Sequence, residues 1–243
     1  MLDKRNFYIN GKWVTPSKPN DFEVINPSNE EPFAIISLGD EVDTNSAVKA
    51  AKESFSSWKK TSKEERINLL EKLLKVYKKR FDEMAEAQSM EMGAPIDYAK
   101  SALTAMGQSH LEDFILRLKS FKFEEHFDSK SNNHIAYEPI GVCGLITPWN
   151  FPINQIALKV IPALATGCTT ILKPSEIAPI SPMLFAEMID EAGFPPGVFN
   201  LVNGDGAGVG THISGHPDIV MISFTGSTRA GKLISKNAAD TIK

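Results

Sequence analysis

The side chains of this sequence that could do chemistry fall into a few short segments. Thr147-Pro148-Trp149-Asn150-Phe151-Pro152 sets a neutral amide between two aromatic rings. An amide at a strand end can donate to a developing oxyanion. The same Asn-Phe-Pro is also an ordinary turn that opens a helix, and spacing alone favours the turn. Lys173-Pro174-Ser175-Glu176 pairs an ammonium with a carboxylate three residues on. Such a pair suits the adjacent hydroxyls of a ribose, and the carboxylate would repel a 2′-phosphate. The alternative is a surface cap that starts a helix, which spacing alone again favours. Gly226-x-x-x-x-Gly231 stands at a strand-to-helix junction. Free N–H groups and the helix dipole attract a phosphate there, and Ser227 adds a hydroxyl donor. The alternative is a plain strand–helix turn. The glycine-rich stretch from Gly204 through Gly206 to Gly210 invites comparison with the dinucleotide fingerprint. It fails, because no three of its glycines have the G-x-G-x-x-G spacing.

Other candidates are weaker. Cys143 and Cys168 lie in or beside apolar strands, where a thiol behaves as a small buried hydrophobe, so both are assigned packing roles. His212 and His216 have the i, i+4 spacing of a metal pair. Gly215 and Pro217 break the helix around His216, and no third ligand stands out, so no metal site is expected.

The elements that must position these residues follow from periodicity. Residues 1–40 read as strands and turns, with Asn10-Gly11 a strong hairpin signal and Asn26-Pro27-Ser28 a second turn. Residues 43–120 read as helices. Ser62 and Glu65 form a capping box, followed by Ile67, Leu69, Leu70, Leu73, Leu74 and Tyr77 at helical spacing. Gly93-Ala94-Pro95 ends that helical run and opens the next. Lys72, Lys75, Lys78, Lys79 and Arg80 are interleaved with acids and read as a solvated helix face. Residues 121–140 are polar, with Ser129, Ser131, Asn132 and Asn133, and read as an excursion with a loop and an exposed strand.

From Gly141 strands and helices alternate: strand Val142 to Ile146, helix Ile153 to Thr166, strand Thr169 to Leu172, helix Pro179 to Ala192, strand Val198 to Val202. A short helix over 207–214, a strand Ile219 to Phe224 and a helix from Ser227 complete the run. Alternation of this kind implies right-handed crossovers and a parallel, doubly wound sheet. Continuous apolar strands such as Ile219-Val220-Met221-Ile222 fit a sheet covered on both faces. In such sheets ligands bind beyond the carboxyl ends of the strands, and all the candidate segments of the first paragraph follow strands.

Bulk properties set limits. The 243 residues are 42% apolar and 23% charged, with a net charge of −4 from 26 basic and 30 acidic residues. Nothing there draws the protein to nucleic acid or anionic lipid. Two cysteines exclude a disulfide framework and a four-cysteine zinc site. The start, MLDKRNFYING, has no apolar h-region, and no run approaches the roughly 18 apolar residues of a membrane span. A soluble, cytoplasmic protein is expected.

In order and spacing, the segments Leu145 to Pro152, Leu172 to Glu176, Pro196 to Gly204 and Phe224 to Gly231 together resemble the NAD-dependent aldehyde dehydrogenase superfamily. The resemblance implies a Rossmann-like NAD-binding domain, incomplete, with N-terminal β-hairpins and helices. It divides the chain into 1–120, the first part of that domain; 121–139, an arm used for oligomerisation; and 140–243, the βαβ part. It makes Asn150 the side-chain half of an oxyanion hole. The cofactor-binding set is Ile146, Thr147, Pro148, Trp149, Lys173, Ser175, Glu176, Gly206, Gly210, Phe224, Thr225, Gly226, Ser227, Ala230 and Gly231. Ile146 to Trp149 form a wall along the cofactor, Lys173 and Glu176 contact the adenosine ribose, and Gly206 and Gly210 flank the adenine. Ser227 lies near the pyrophosphate. Ala230 is smaller than the branched residue often found there, which implies looser adenine packing. Glu176 favours NAD over NADP.

The implied reaction oxidises an aldehyde to a carboxylic acid. A cysteine thiolate attacks, a thioester forms as hydride leaves, and a glutamate base activates the water that hydrolyses it. The family's Leu-Glu-Leu-Gly-Gly-like and Gly-Gln-x-Cys-like motifs are not in this sequence. The catalytic cysteine, glutamate and substrate domain are therefore expected outside it, and the isolated chain is expected to be inactive and poorly stable. The complete enzyme is expected to act on a small-molecule aldehyde as a homodimer or tetramer. The alternative is a non-catalytic fragment that binds nucleotide or associates with a partner.

Overall fold

The computed structural model describes residues 1–127 and 132–243, so Ser129 and Ser131 of the polar excursion lie outside the described residues. The N-terminal hairpin joins β2 (Phe7–Ile9) to β3 (Lys12–Val14), and β1 (Leu2–Asp3) precedes it. Asn10 and Gly11 at its tip have φ of 53° and 73°, the left-handed values that Asn-Gly was expected to supply. β4 (Asp21–Asn26) and β5 (Glu31–Ser37) are antiparallel and form a small sheet with β1.

Helices follow, as the periodicity implies. α1 (Glu41–Trp58) is capped by Asp40, and α2 (Lys63–Lys79) by Ser62. The Ser62–Glu65 box is present in both directions: Ser62 Oγ accepts from Glu65 N–H at 3.1 Å, and the Glu65 carboxylate accepts from Ser62 N–H at 2.7 Å. Ile67, Leu70, Leu73 and Tyr77 are buried, and Leu69 and Leu74 pack against the same core. α3 (Phe81–Met92) ends at Gly93, whose φ of 69° makes the left-handed cap. α4 (Ile96–Tyr98) and a π-helical turn (Ala99–Thr104) lead into α5 (Ala105–Ser120).

One expectation here needs correction. Lys72, Lys75, Lys78 and Lys79 are exposed, but Arg80 is not part of a solvated face. Its guanidinium is largely covered and pairs with Glu83 at 2.7 Å and with Glu187 at 2.8 Å. It joins the α2–α3 corner to a distant helix. Charge interleaving along the sequence cannot reveal a partner more than a hundred residues away.

β6 (Glu124–His126) and β7 (His134–Ala136) form an exposed antiparallel pair. The alternating region then runs β8 (Val142–Ile146), α6 (Pro152–Ala165), β9 (Thr169–Lys173), α7 (Ile180–Glu191), β10 (Phe199–Leu201), a π-helical turn (Gly206–Gly210), α8 (Thr211–Gly215), β11 (Met221–Phe224) and α9 (Thr228–Ala239). Strands β10 and β11 are shorter than expected only by label. Val202 N–H still bonds Leu172 O at 3.0 Å, and Val220 N–H bonds Val142 O at 2.9 Å. The expected helix over 207–214 is split, because Asp205 accepts from Gly208 N–H at 2.6 Å and the glycines widen the first turn.

The large sheet has the order β11-β8-β9-β10-β2-β3, with β8 to β11 mutually parallel and β2 antiparallel to β10. The hairpin, which the sequence placed in a separate N-terminal group, thus extends the parallel sheet. Asn200 holds it there, its side-chain oxygen accepting from Asn10 N–H at 3.0 Å. Helices α6 and α7 cover one face, with α2, α3 and α5 outside them; α1 and α8 cover the other, with α9 against α8. Helices on both faces make the sheet doubly wound, as expected. Gly144 sets the depth of α8, since a Cβ there would lie 2.5 Å from Ile213 Cγ2.

Candidate functional site

The chain moves from β8 to β9 to β10 in one direction, then returns past β8 to form β11. The point where the order reverses lies between β8 and β11, which is where an open α/β sheet leaves a crevice at its carboxyl edge. A cleft of 780 Å³ occupies that place. Ile146 ends β8 on its floor, Phe224 ends β11, and Gly206, Gly210, Ala230 and Leu233 close its sides. The volume lies within the usual range for a small-molecule or cofactor site.

Five of the candidate residues therefore share one cavity: Ile146, Gly206, Gly210, Phe224 and Ala230. A Cβ on Gly206 would meet nothing within 4 Å, so no packing within the protein demands glycine there. Gly226 differs: a Cβ would sit 2.5 Å from Phe224 Cζ, so the Phe224 ring occupies the space a side chain would need. At Gly231 the nearest atom is 3.4 Å away. Of the two glycines in the G-x-x-x-x-G pattern, only Gly226 is sterically compelled by its neighbours.

Ser227 caps α9, its Oγ accepting from Ala230 N–H at 3.2 Å. Its own O–H remains able to donate, and the first-turn N–H groups of Thr228 and Arg229 precede any intrahelical bond. Both features suit an anion at this helix N-terminus, and Arg229, on the cleft wall, adds positive charge.

The next strand end is more self-contained. Lys173 is buried, and its ammonium donates to Pro174 O at 2.7 Å and to Gly204 O, with Glu176 Oε2 at 3.4 Å. Burial pushes its pKa down; the nearby Glu176 and Asp205 carboxylates pull the other way. The ammonium that spacing offered to a ribose is thus spent mainly on backbone carbonyls, tying β9 to the loop after β10. Glu176 is the freer partner, with its side chain 28% exposed. Ser175 Oγ accepts from Ile177 N–H at 3.3 Å and shapes the turn.

After β8, Thr147 N–H bonds Lys173 O at 3.2 Å, while Thr147 Oγ1 is buried with no partner among the described residues. Pro148 is half-buried and Trp149 is exposed. Asn150 stands exposed just before α6, and among the described residues no hydrogen bond engages its amide. The turn and the oxyanion donor are compatible at this position: the backbone makes the turn and leaves the amide free.

Lys159, which the sequence reading missed, approaches the site from below. Its Nζ donates to Thr225 Oγ1 at 2.7 Å and to Gln155 Oε1 at 3.3 Å, and burial lowers its pKa. The available signal was a lone lysine inside the apolar run Ile156-Ala157-Leu158-Lys159-Val160-Ile161.

The cysteines are elsewhere. Cys143 is the second residue of β8, and Cys168 immediately precedes β9; both are free and buried. At about 3.3 Å per residue, Cys168 lies roughly 16 Å along the strand from its carboxyl end. Neither faces the cleft. His216 is used locally, its Nδ1 accepting from Asp218 N–H at 3.0 Å. Among the described residues no helix is long and apolar enough to cross a membrane.

Similarity to known proteins extends over nearly the whole chain. The aldehyde dehydrogenase family profile matches residues 13–243. The chain is 51% identical to a 3-succinoylsemialdehyde-pyridine dehydrogenase of Pseudomonas sp, across 100% of this chain and 50% of that protein. Among solved structures it superposes on an aldehyde dehydrogenase from Bartonella henselae with a TM-score of 0.99 and 59% identity, covering 100% of this chain and 51% of the other. A second is a cysteine-to-alanine variant of aldehyde dehydrogenase C from Pseudomonas syringae, solved with NAD+ and octanal. There the TM-score is 0.96 and the identity 44%, across 98% of this chain and 49% of that one. The chain spans about half the length of these relatives.

Proposed function

The chain belongs to the aldehyde dehydrogenase family, and from that premise we propose that it is the cofactor-binding part of an NAD-dependent aldehyde dehydrogenase. The complete enzyme oxidises an aldehyde to a carboxylic acid; bound NAD+ supplies the hydride acceptor. The observation that carries the reading is the 780 Å³ cleft at the switch point between β8 and β11, with a helix N-terminus at its rim.

In this reading the adenine lies between Gly206, Gly210 and Ala230, in the space that Gly206 leaves open. The pyrophosphate sits at the start of α9, where Ser227 and the Gly226-to-Gly231 turn present donors. Glu176 accepts from the ribose hydroxyls, while buried Lys173 fixes the loop that carries it. Ile146, Thr147, Pro148 and Trp149 form the wall toward the reacting end. Ser175, Phe224 and Thr225 shape the turns that hold these groups. Asn150 donates to the oxyanion of the aldehyde adduct, its amide being exposed and free of internal partners. Neither cysteine of residues 1–243 serves as the nucleophile of the aldehyde reaction, since both lie toward the amino edge of the sheet and neither lines the cleft.

We further assign residues 1–120 and 140–243 to one NAD-binding domain. Continuity of β10 with β2 supports this, because the hairpin completes the sheet. The β6–β7 pair, within 121–139, is the arm that contacts another subunit of a homodimer or tetramer. The free thiols support a cytoplasmic location.

Calorimetric titration of residues 1–243 with NAD+ tests the reading. Saturable binding is expected, abolished by Ala230→Trp, which fills the cleft. No NADH is expected to form when an aldehyde is added to this chain alone. Binding unchanged by Ala230→Trp would overturn the assignment of the cleft.

A further inference from the structure

A second cavity, of 460 Å³, shares no lining residue with the nucleotide cleft. Cys143, Cys168, Lys159, Tyr137 and Glu138 are on its wall. Beside it stands Arg66 of α2, 6% exposed, with Nε and Nη1 both buried and, among the described residues, without a hydrogen-bond partner. A guanidinium desolvated in this way is costly unless an anion compensates it. Its planar face lies over the Phe123 ring at 5.0 Å. Gly167, with φ of 86°, leaves room for Arg66 Nη1, which a Cβ there would strike.

The residue after Gly167 is Cys168. Thr166 Oγ1 donates to its sulfur at 3.8 Å, and the Cys143 thiol on the same cavity wall donates to Gly141 O at 4.0 Å. The Arg66 charge and the Cys168 sulfur attract each other. Cys143 lies opposite Thr170 in the β8–β9 ladder, so Cys143 and Cys168 project from the same face as diagonal neighbours. The two sulfurs are shifted in opposite senses. The neighbouring Cys143, with the Thr166 hydroxyl, holds the Cys168 thiol below the usual range against burial. The neighbouring Cys168 and burial push Cys143 up.

We propose that Cys168 and Cys143 are a redox-active pair, with Cys168 the attacking thiolate, Cys143 the resolving thiol and Arg66 the charge partner, oxidised reversibly to a disulfide by a hydroperoxide. Cys168 thiolate attacks the terminal peroxide oxygen; the O–O bond breaks, and the departing oxide takes up a proton. The product is a sulfenic acid at Cys168. Cys143 sulfur then attacks the Cys168 sulfur, the S–O bond breaks, and the oxygen leaves as water with the Cys143 proton. Two thiols are oxidised by two electrons, and with hydrogen peroxide two waters form. The pair sits at the amino edge of the sheet and is separate from the aldehyde chemistry proposed for the carboxyl edge.

The test uses the 243-residue chain treated with hydrogen peroxide and digested without reduction. A peptide joining Cys143 to Cys168, lost on treatment with dithiothreitol, is expected. Cys143→Ser should stall the reaction at the sulfenic acid of Cys168, captured by a dimedone-type reagent. The pH dependence of iodoacetamide labelling at Cys168 in the unsubstituted chain should have a midpoint below that of a free thiol. Arg66→Met should raise that midpoint and, for a shift of one pKa unit, slow labelling on the order of tenfold at pH values well below both midpoints. Oxidation that leaves no Cys143–Cys168 linkage overturns the pair. A Cys168 labelling midpoint at or above that of a free thiol overturns the role of the attacking thiolate. Because this last measurement needs no substitution, it stands even where Arg66→Met does not fold.

Discussion

In the proposed reading, the choice between NAD and NADP rests on Glu176. Its carboxylate is only part-covered and is poised three residues after a lysine whose own protons are committed to backbone carbonyls. A 2′-phosphate brought there would face the Glu176 carboxylate, which the Lys173 ammonium at 3.4 Å offsets only in part. Glu176→Ala is therefore expected to raise affinity for NADP relative to NAD by about tenfold, an effect of about 1.4 kcal/mol, read by titrating both nucleotides. An unchanged ratio would refute the ribose role. Gly226 carries a different kind of necessity. Gly226→Val would drive a branched side chain into the Phe224 ring, now 2.5 Å from the Cβ position. We expect nucleotide binding to be lost while the urea midpoint moves little, because Gly226 is exposed at the rim and not in the core.

At the scale of elements, α7 is held by a residue from outside itself. Its N-cap position is Pro179, which offers no capping side chain. Glu91 of α3 supplies the acceptor: Ile180 N–H reaches its carboxylate at 2.6 Å, and Ser181 contributes both N–H and hydroxyl. Burial, the largest influence, pushes the Glu91 pKa up to about 7, against these hydrogen bonds. The folded pKa thus lies above the unfolded one, near 4.3. The native state holds a proton that the unfolded chain has released between those values. Stability from this group is accordingly greatest below about pH 4.3 and is lost as pH rises toward 7. Glu91→Gln keeps an acceptor oxygen for α7 and removes the titration. The difference in unfolding free energy between Glu91→Gln and the original chain should grow in favour of the variant from pH 4.5 to 7. A constant difference across that range would contradict the assignment.

At the scale of the whole molecule, the outer helical layer meets the inner one at Gly107. A Cβ there would collide with the Tyr77 hydroxyl and lie 2.9 Å from Ile153, so α2, α5 and α6 converge on a position with no side chain. Tyr77 is buried, and its hydroxyl donates to Thr104 O at 2.9 Å. Gly107→Val should cost about 2–3 kcal/mol by overpacking, read from the urea midpoint. Because α6 begins directly after Asn150, the same variant should also disturb the loop that carries the amide. Intact stability would mean that the layers can part without strain.

The sequence by itself determined the doubly wound sheet, the hairpin turn, the capping box and the strand ends at which the candidate residues cluster. These depend on local periods and on turn chemistry within a few residues, and periodicity survives without knowledge of the partner. It also placed Asn150, Glu176 and Ser227 just after strand ends, where the structure has them. It could not show that Lys173 donates to Gly204 O, that Glu91 caps α7, or that Arg80 leaves the solvated face to pair with Glu187. Nor could it show that Arg66 lies unpaired beside Cys168, or that the hairpin strand β2 pairs with β10. Each of these is a contact across tens to more than a hundred residues. Only chain folding sets such distances, and desolvation then decides which charged or polar group needs a partner.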